Sequence, residues 1–209
     1  MYLSSYKLGD KTDELKKQIE KGDNKICLVI NSRDQWEGNE RYLDGIKRDT
    51  DDIESLGFKV TRLDLRKFFG KEKELREFMK SYNAVYVIGG NTFVLRRAMK
   101  FSGFDKFIKS KVRDKDFLYI GYSAGICVLS KDLRGLAPCD EPEVDPYNSG
   151  EPIYKGIGLI DYLPLPHYKS ENPRTKGEAV LIDKCLEYCE KHSIKYKTIC
   201  DGDVILEGF

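Results

Sequence analysis

Ser123 lies in the sequence Gly121-Tyr122-Ser123-Ala124-Gly125, between two apolar runs. The pattern predicts a strand, a tight turn and a helix that begins directly after the serine. A serine in such a turn adopts a strained backbone conformation that exposes Oγ, and small flanking residues let the strand and helix pack closely. The amide of Ala124 would lie at the helix start, where unpaired N–H groups favour negative charge. We therefore predict a nucleophile beside half of an oxyanion hole.

A second turn, Gly89-Gly90-Asn91-Thr92, follows another apolar run and precedes a helical segment. Its glycines allow a sharp turn and leave backbone N–H groups uncovered, and we expect Thr92 to be the helix N-cap. The carboxyl ends of parallel strands meet at one edge of a sheet. We therefore expect this anion-binding turn to lie next to the serine turn.

The chain has two histidines as candidate general bases. His192 lies in a charged helix end, where capping explains it. His167 follows Pro-Leu-Pro at the end of a predicted strand, so we favour His167 as the base that activates the serine. Asp201 ends another predicted strand before a glycine, and Asp140 lies in a proline-rich loop. An orienting carboxylate works best on a rigid element, which favours Asp201 as the acid.

Strand and helix patterns alternate along the chain, which predicts βαβ units and an α/β fold: a mostly parallel sheet with helices on both faces. The segment 58–65 alternates as a strand near a sheet edge would, and the segment 136–152, with four prolines, reads as a long loop that could wall a site. The predicted strands are 25–31, 58–65, 83–88, 117–122, 156–160, 163–168, 194–200 and a last one after 203. The predicted helices are 11–22, capped at Thr12 and stopped at Gly22, then 39–57, 71–82, a segment from 93, one after Ser123, and 175–192.

Composition narrows the class of protein. The 209 residues suit a single domain, 1–209, and a net charge of +1 gives no overall field that would recruit nucleic acid or an anionic membrane. No apolar run approaches the roughly 20 residues of a membrane span, and the N-terminus lacks a secretory pattern. We expect a cytoplasmic protein, a monomer or homodimer, whose partner is a small molecule.

Six cysteines occur without close C-x-x-C pairs, which is typical of reduced core thiols. Cys185, Cys189 and His192 share one predicted helix face. A metal site needs a fourth ligand that the sequence does not supply, so we expect no metal there.

Five motifs stand out: Gly89-Gly90-Asn91-Thr92-Phe93 with Leu95, the Ser123 turn, Pro166-His167, Lys176-Gly177-Glu178 and Asp201-Gly202-Asp203. Together they resemble peptidase family S51, which includes dipeptidase E (the aspartyl dipeptidases) and cyanophycinase. The resemblance runs from about Ile26 to Ile205. It implies a class I glutamine amidotransferase-like fold that carries a Ser-His-acid arrangement, and it implies no metal or cofactor. Carried over, Ser123 is the nucleophile, His167 the base, Asp201 the acid, and Gly90 with Ala124 the oxyanion hole.

One position departs from the family pattern. Aspartyl dipeptidases carry an arginine shortly after Gly-Glu that reads the substrate's aspartate, whereas this chain has Val180. We therefore expect weak or absent preference for an N-terminal aspartate, unless Arg174 or Lys176 substitutes. Trp36, Asn91 and Asp140 complete the candidate substrate-binding residues.

The leading hypothesis is a serine exopeptidase that hydrolyses dipeptides or short peptides through an acyl-enzyme. An α/β-hydrolase esterase would have the order Ser, acid, His, whereas the candidates here run Ser123, His167, Asp201. A glutaminase would need a cysteine at the turn, and Cys127 comes one helical turn too late. A non-catalytic peptide- or small-molecule-binding protein on the same fold remains the alternative from another class.

Overall fold

A six-stranded sheet forms the centre of the fold in the computed structural model, which describes residues 1–19 and 24–208. The strands are β1 Tyr2–Ser4, β2 Lys25–Val29, β3 Lys59–Leu63, β4 Ala84–Val87, β5 Leu118–Tyr122, β6 Leu163–Leu165, β7 Tyr196–Thr198 and β8 Val204–Leu206. The helices are α1 Thr12–Ile19, α2 Glu40–Glu54, α3 Glu72–Met79, α4 Thr92–Ser102, α5 Phe104–Lys111, α6 Ala124–Cys127 and α7 Lys176–Lys191.

The sheet order is β3-β2-β4-β5-β1-β8, and only β8 runs antiparallel to its neighbour. β3 lies at one edge, as its alternating sequence predicts. The chain reverses direction across the sheet between β2 and β4, where parallel sheets bind ligands at their carboxyl ends. A separate parallel pair, β6 with β7, lies outside this sheet.

Both faces of the sheet are buried. In β4, Val85 and Val87 join one apolar cluster, whereas Tyr86 and the following Ile88 join the other. Because successive side chains of a strand point to opposite faces, each face needs its own cover. This confirms the predicted α/β class with helices on both faces. In the part of the chain that is described, no helix has the length and apolar character to cross a membrane.

The structure corrects the predicted elements at several places. β1 was not predicted, because three residues are too few to show a period. The segment 156–160 is not a strand: Ile157 and Leu159 donate backbone hydrogen bonds to the 128–129 turn instead. Asn91, not Thr92, caps α4, since its side-chain oxygen accepts from the amides of Phe93 and Val94. The predicted stop at Gly22 lies outside the described residues.

A disulfide joins Cys139, in the proline-rich loop, to Cys185 on α7. The expectation of six reduced thiols is therefore wrong for these two, because a contact across 46 residues leaves no local sequence signal. Because Cys185 is in a disulfide, it is not a free thiolate that could bind a metal. The ring of His192 stacks on the ring of Tyr188, with centroids 4.2 Å apart. Within 1–19 and 24–208, no three His, Cys, Asp or Glu side chains are grouped so as to hold a metal ion.

We expect reduction of this disulfide to lower the free energy of unfolding by about 2–4 kcal/mol, because the bond restricts the unfolded chain. Urea denaturation with and without reductant measures the change. Cys185→Ser should be equally destabilised and insensitive to reductant, whereas the exposed Cys200→Ser should behave as wild type. An unchanged wild-type midpoint in reductant would contradict the expectation.

Candidate active site

Ser123 occupies the turn between β5 and α6 with φ 49° and ψ −119°. Positive φ in a non-glycine residue is a strained conformation that neighbouring structure must hold in place. The close packing that holds it requires glycine at position 125, where an added Cβ would lie 2.2 Å from the Val87 carbonyl oxygen. Ala124 begins α6, so its amide has no acceptor within the helix.

The second turn follows β4, the strand next to β5. Gly90 has φ 153°, and a Cβ there would lie 2.3 Å from the Ser32 carbonyl oxygen. That same oxygen accepts a 2.7 Å hydrogen bond from the amide of Asn91, which fixes the turn. Gly90, Ser123 and Ala124 line one cavity, as expected for turns at the carboxyl ends of neighbouring parallel strands.

His167 and Asp201 come from the β6–β7 pair, each a few residues beyond its strand. His167 is 3% exposed, and its amide donates to Ser5 Oγ at 2.8 Å. Its ring Nδ1 lies 2.8 Å from Asp201 Oδ1. A proton on Nδ1 is thus held by the carboxylate, which leaves Nε2 for the cavity that His167 also lines.

Three hydroxyl groups surround the Asp201 carboxylate. Ser5 donates to Oδ1 at 2.9 Å, and Ser170 and Thr175 each donate to Oδ2 at 2.6 Å. Burial disfavours ionisation, but the hydrogen bonds from His167 and from Ser170 and Thr175 outweigh it and hold the pKa of Asp201 well below its usual range. These hydroxyl contacts join distant segments, so no local sequence pattern indicates them.

Asp140 has a different environment. Its Oδ2 accepts the amide of Thr92 at 2.9 Å, and burial raises the pKa of its carboxyl to about 6. Among the described hydrogen bonds, the contact to His167 is made by Asp201 and not by Asp140. The geometry thus pairs the histidine with the carboxylate favoured from the sequence, while the catalytic roles stay predictions.

Glu178, in the first turn of α7, contacts the candidate base, although the sequence did not indicate it as a site residue. Its Oε2 lies 3.3 Å from Nε2 of His167. The Glu178 side chain is 57% exposed, so the desolvation that raises the pKa of its carboxyl is limited, and the nearby His167 opposes that rise. Within the described chain, Ser123 Oγ makes no hydrogen bond to His167. The side chain in contact with Nε2 is that of Glu178. Its one sequence signal is its place in the Lys176-Gly177-Glu178 motif.

The cavity has a volume of about 210 Å³, below the range typical of drug-sized ligands. Trp36, 47% exposed, lines it, as do Asn91 and Asp140. The structure does not bring Arg174 and Lys176 to it: both are exposed and absent from its wall. The remaining lining residues are Gln35, Gly90, Thr92, Ser123, Ala124, Cys127, Leu136, Cys139, Glu141, Pro166, His167, Glu178 and Ile182.

Comparisons with known proteins converge on one family. The sequence profile described as peptidase family S51 matches residues 6–194. An uncharacterized peptidase of Listeria innocua is 30% identical over 118 residues, which cover 56% of this chain and 54% of the relative. One of Listeria monocytogenes is 33% identical over 121 residues, which cover 56% of this chain and 55% of the relative. A probable alpha-aspartyl dipeptidase of Drosophila melanogaster is 30% identical over 130 residues, or 61% of this chain and 49% of its own. The chain thus spans about half the length of the curated relatives it matches.

Two solved structures share the fold. A candidate peptidase E protein from Listeria monocytogenes superposes with a TM-score of 0.70 at 23% identity, covering 99% of this chain and 96% of its own. A peptidase from an acI-B1 Actinobacterium gives 0.57 at 17% identity, covering 87% and 73%. The predicted class I glutamine amidotransferase-like fold is confirmed.

Proposed function

Because the chain belongs to peptidase family S51, we propose that it is a serine exopeptidase that hydrolyses dipeptides or short peptides. The observation that carries this proposal is the positive-φ Ser123 on the same cavity as His167, whose Nδ1 is paired with the ionised Asp201. A serine hydroxyl is a weak nucleophile unless a positioned imidazole removes its proton. These residues supply that imidazole and the acceptor that orients it.

In the proposed reaction, Ser123 Oγ attacks the scissile carbonyl carbon while its proton passes to Nε2 of His167. The carbonyl oxygen becomes an oxyanion that the amides of Gly90 and Ala124 stabilise. The C–N bond then breaks, and Nε2 returns the proton to the leaving amine. Nε2 then removes a proton from a water molecule, whose oxygen attacks the acyl-enzyme ester. The bond between the acyl carbon and Ser123 Oγ breaks, Nε2 returns the proton to Oγ, and the acyl group leaves as a carboxylic acid.

A dipeptide library with detection of released amino acids tests this proposal. Hydrolysis is expected, and a serine-directed organophosphonate should label Ser123 and not the buried Cys127. Absence of release from every dipeptide and short peptide, with no label on Ser123, would contradict it. We propose that the protein acts in the cytoplasm. Because thiols there are kept reduced, the Cys139–Cys185 disulfide would form only under local oxidising conditions.

The proposed peptidase is expected to show little preference for an N-terminal aspartate. Val180 is 67% exposed and carries no charge, and the described residues of the cavity wall include no lysine or arginine. Losing a cation that pairs with a buried carboxylate costs about 2–5 kcal/mol, or roughly one and a half to four orders of magnitude in specificity. Values of kcat/KM for Asp-Leu, Ala-Leu and Leu-Leu measure it. A strong preference for Asp-Leu would show that another cation reaches the substrate.

A further inference from the structure

The Glu178 carboxylate lies where the proposed reaction needs open space. Nε2 of His167 must accept the proton of Ser123, yet its present neighbour is Glu178 Oε2 at 3.3 Å. When Nδ1 donates to Asp201, neutral imidazole presents a lone pair at Nε2. A carboxylate then meets that lone pair favourably only when Glu178 or His167 carries an extra proton. The contact is therefore one that a substrate must rearrange.

The charges of the cavity wall indicate which group could draw Glu178 away. Among the described residues that line the cavity, the carboxylic acids are Asp140, Glu141 and Glu178, and none is a lysine or arginine. Asp140 already accepts a hydrogen bond from the amide of Thr92, whereas Glu178 has one ion-pair-distance contact in the described chain, to His167, and Arg33 acts on it only from a greater distance. A cation entering this cavity would be attracted by the wall and would find an available acceptor in Glu178.

We propose that Glu178 binds the α-ammonium group of the substrate's first residue and, in doing so, leaves Nε2 of His167 free for Ser123. This inference rests on the proposed peptidase function and deepens it, because it names the substrate as a peptide with a free amino terminus. An ammonium group supplies three N–H donors. It therefore satisfies the carboxylate without the extra proton that the contact with His167 requires.

Covalent geometry connects this site to the scissile bond. The α-nitrogen of a residue lies about 2.5 Å from its own carbonyl carbon. A group that holds this nitrogen next to the general base therefore brings the first carbonyl of the chain, and no later one, towards Ser123. The cavity of about 210 Å³ agrees with a site for a terminal residue. Because Glu178 lies next to Nε2 of His167, we expect cleavage after the first residue.

Binding to the Ser123→Ala protein tests the inference without turnover. By calorimetry we expect Ala-Leu to bind at least about 10-fold more tightly than N-acetyl-Ala-Leu, the effect of one charge-assisted hydrogen bond. Adding Glu178→Gln should remove most of this difference, and adding Glu178→Ala should do the same. Glu187→Gln, an exposed carboxylate on the same helix and away from the cavity, is the matched control and should keep it.

Kinetics of the enzyme with Ser123 intact give a second readout. Glu178→Gln should raise KM for Ala-Leu by about 10- to 100-fold, with a smaller change in kcat. Unchanged discrimination between the free and acetylated peptides in both Glu178 variants would overturn the inference, as would failure of Ala-Leu to bind. Hydrolysis that ignores acetylation would leave the peptidase function standing without the ammonium site. Tighter binding of the free peptide than of the acetylated one, without any hydrolysis, would support the ammonium site and contradict the peptidase function.

Discussion

Replacement of Ser123 by alanine is expected to lower kcat by about five to six orders of magnitude. The change removes the hydroxyl that would form the acyl-enzyme, while the oxyanion hole and substrate binding remain. Residual hydrolysis should therefore stay roughly 10³–10⁴-fold above the rate in water. Initial rates on the best dipeptide of the library measure the effect.

The fold should tolerate this substitution. Alanine at a positive φ is no more strained than serine, and the hydroxyl of Ser123 fills no packing space, so the free energy of unfolding should change by less than about 0.5 kcal/mol. Ser81→Ala, an exposed serine far along the chain from the turn, is the control for serine removal as such. Hydrolysis by Ser123→Ala at the wild-type rate would show that another residue is the nucleophile.

Asp201→Asn is expected to lower kcat by up to about 10⁴-fold. An amide in place of the carboxylate can donate to Nδ1 of His167, which favours the tautomer with its proton on Nε2. That tautomer cannot accept the proton of Ser123. Circular dichroism should show an unchanged fold, and separate measurement of kcat and KM distinguishes this loss from a loss of substrate affinity.

Asp140→Asn is the matched comparison, because Asp140 lines the same cavity but bonds to the Thr92 amide. An asparagine oxygen can accept that amide, so we expect a smaller loss of kcat. A larger loss in Asp140→Asn than in Asp201→Asn would reverse the two roles. The proline-rich loop would then contain the catalytic acid.

The backbone turns of the site were predictable from the sequence because their constraints are local. A strand that turns into a helix over a serine needs glycine at position 125, and the sharp turn at Gly90 admits no Cβ. Each constraint depends on a few adjacent residues of the sequence. The parallel sheet was predictable for the same reason, since the buried strands and the helices between them each show their own pattern.

The surroundings of His167 could not be read from the sequence. The hydroxyls of Ser5, Ser170 and Thr175 meet at Asp201 only because distant segments fold together. Isolated serines and threonines carry no periodicity or motif that distinguishes them from surface residues. The contact of Glu178 with the imidazole is likewise set by where α7 docks and not by its own sequence.

The position of β1 in the sheet has a consequence for the order in which the protein acquires its site. β1 pairs with β5 and β8, and Ser5, just beyond it, reaches His167 and Asp201 across 162 and 196 residues. Pairings of such high contact order close late in folding. During synthesis, Ser123 and His167 leave the ribosome before the acid that orients them. A nascent chain therefore presents the proposed nucleophile and base while Asp201 is still missing, and the contacts among Ser5, His167 and Asp201 are complete only after residue 201 has been synthesised.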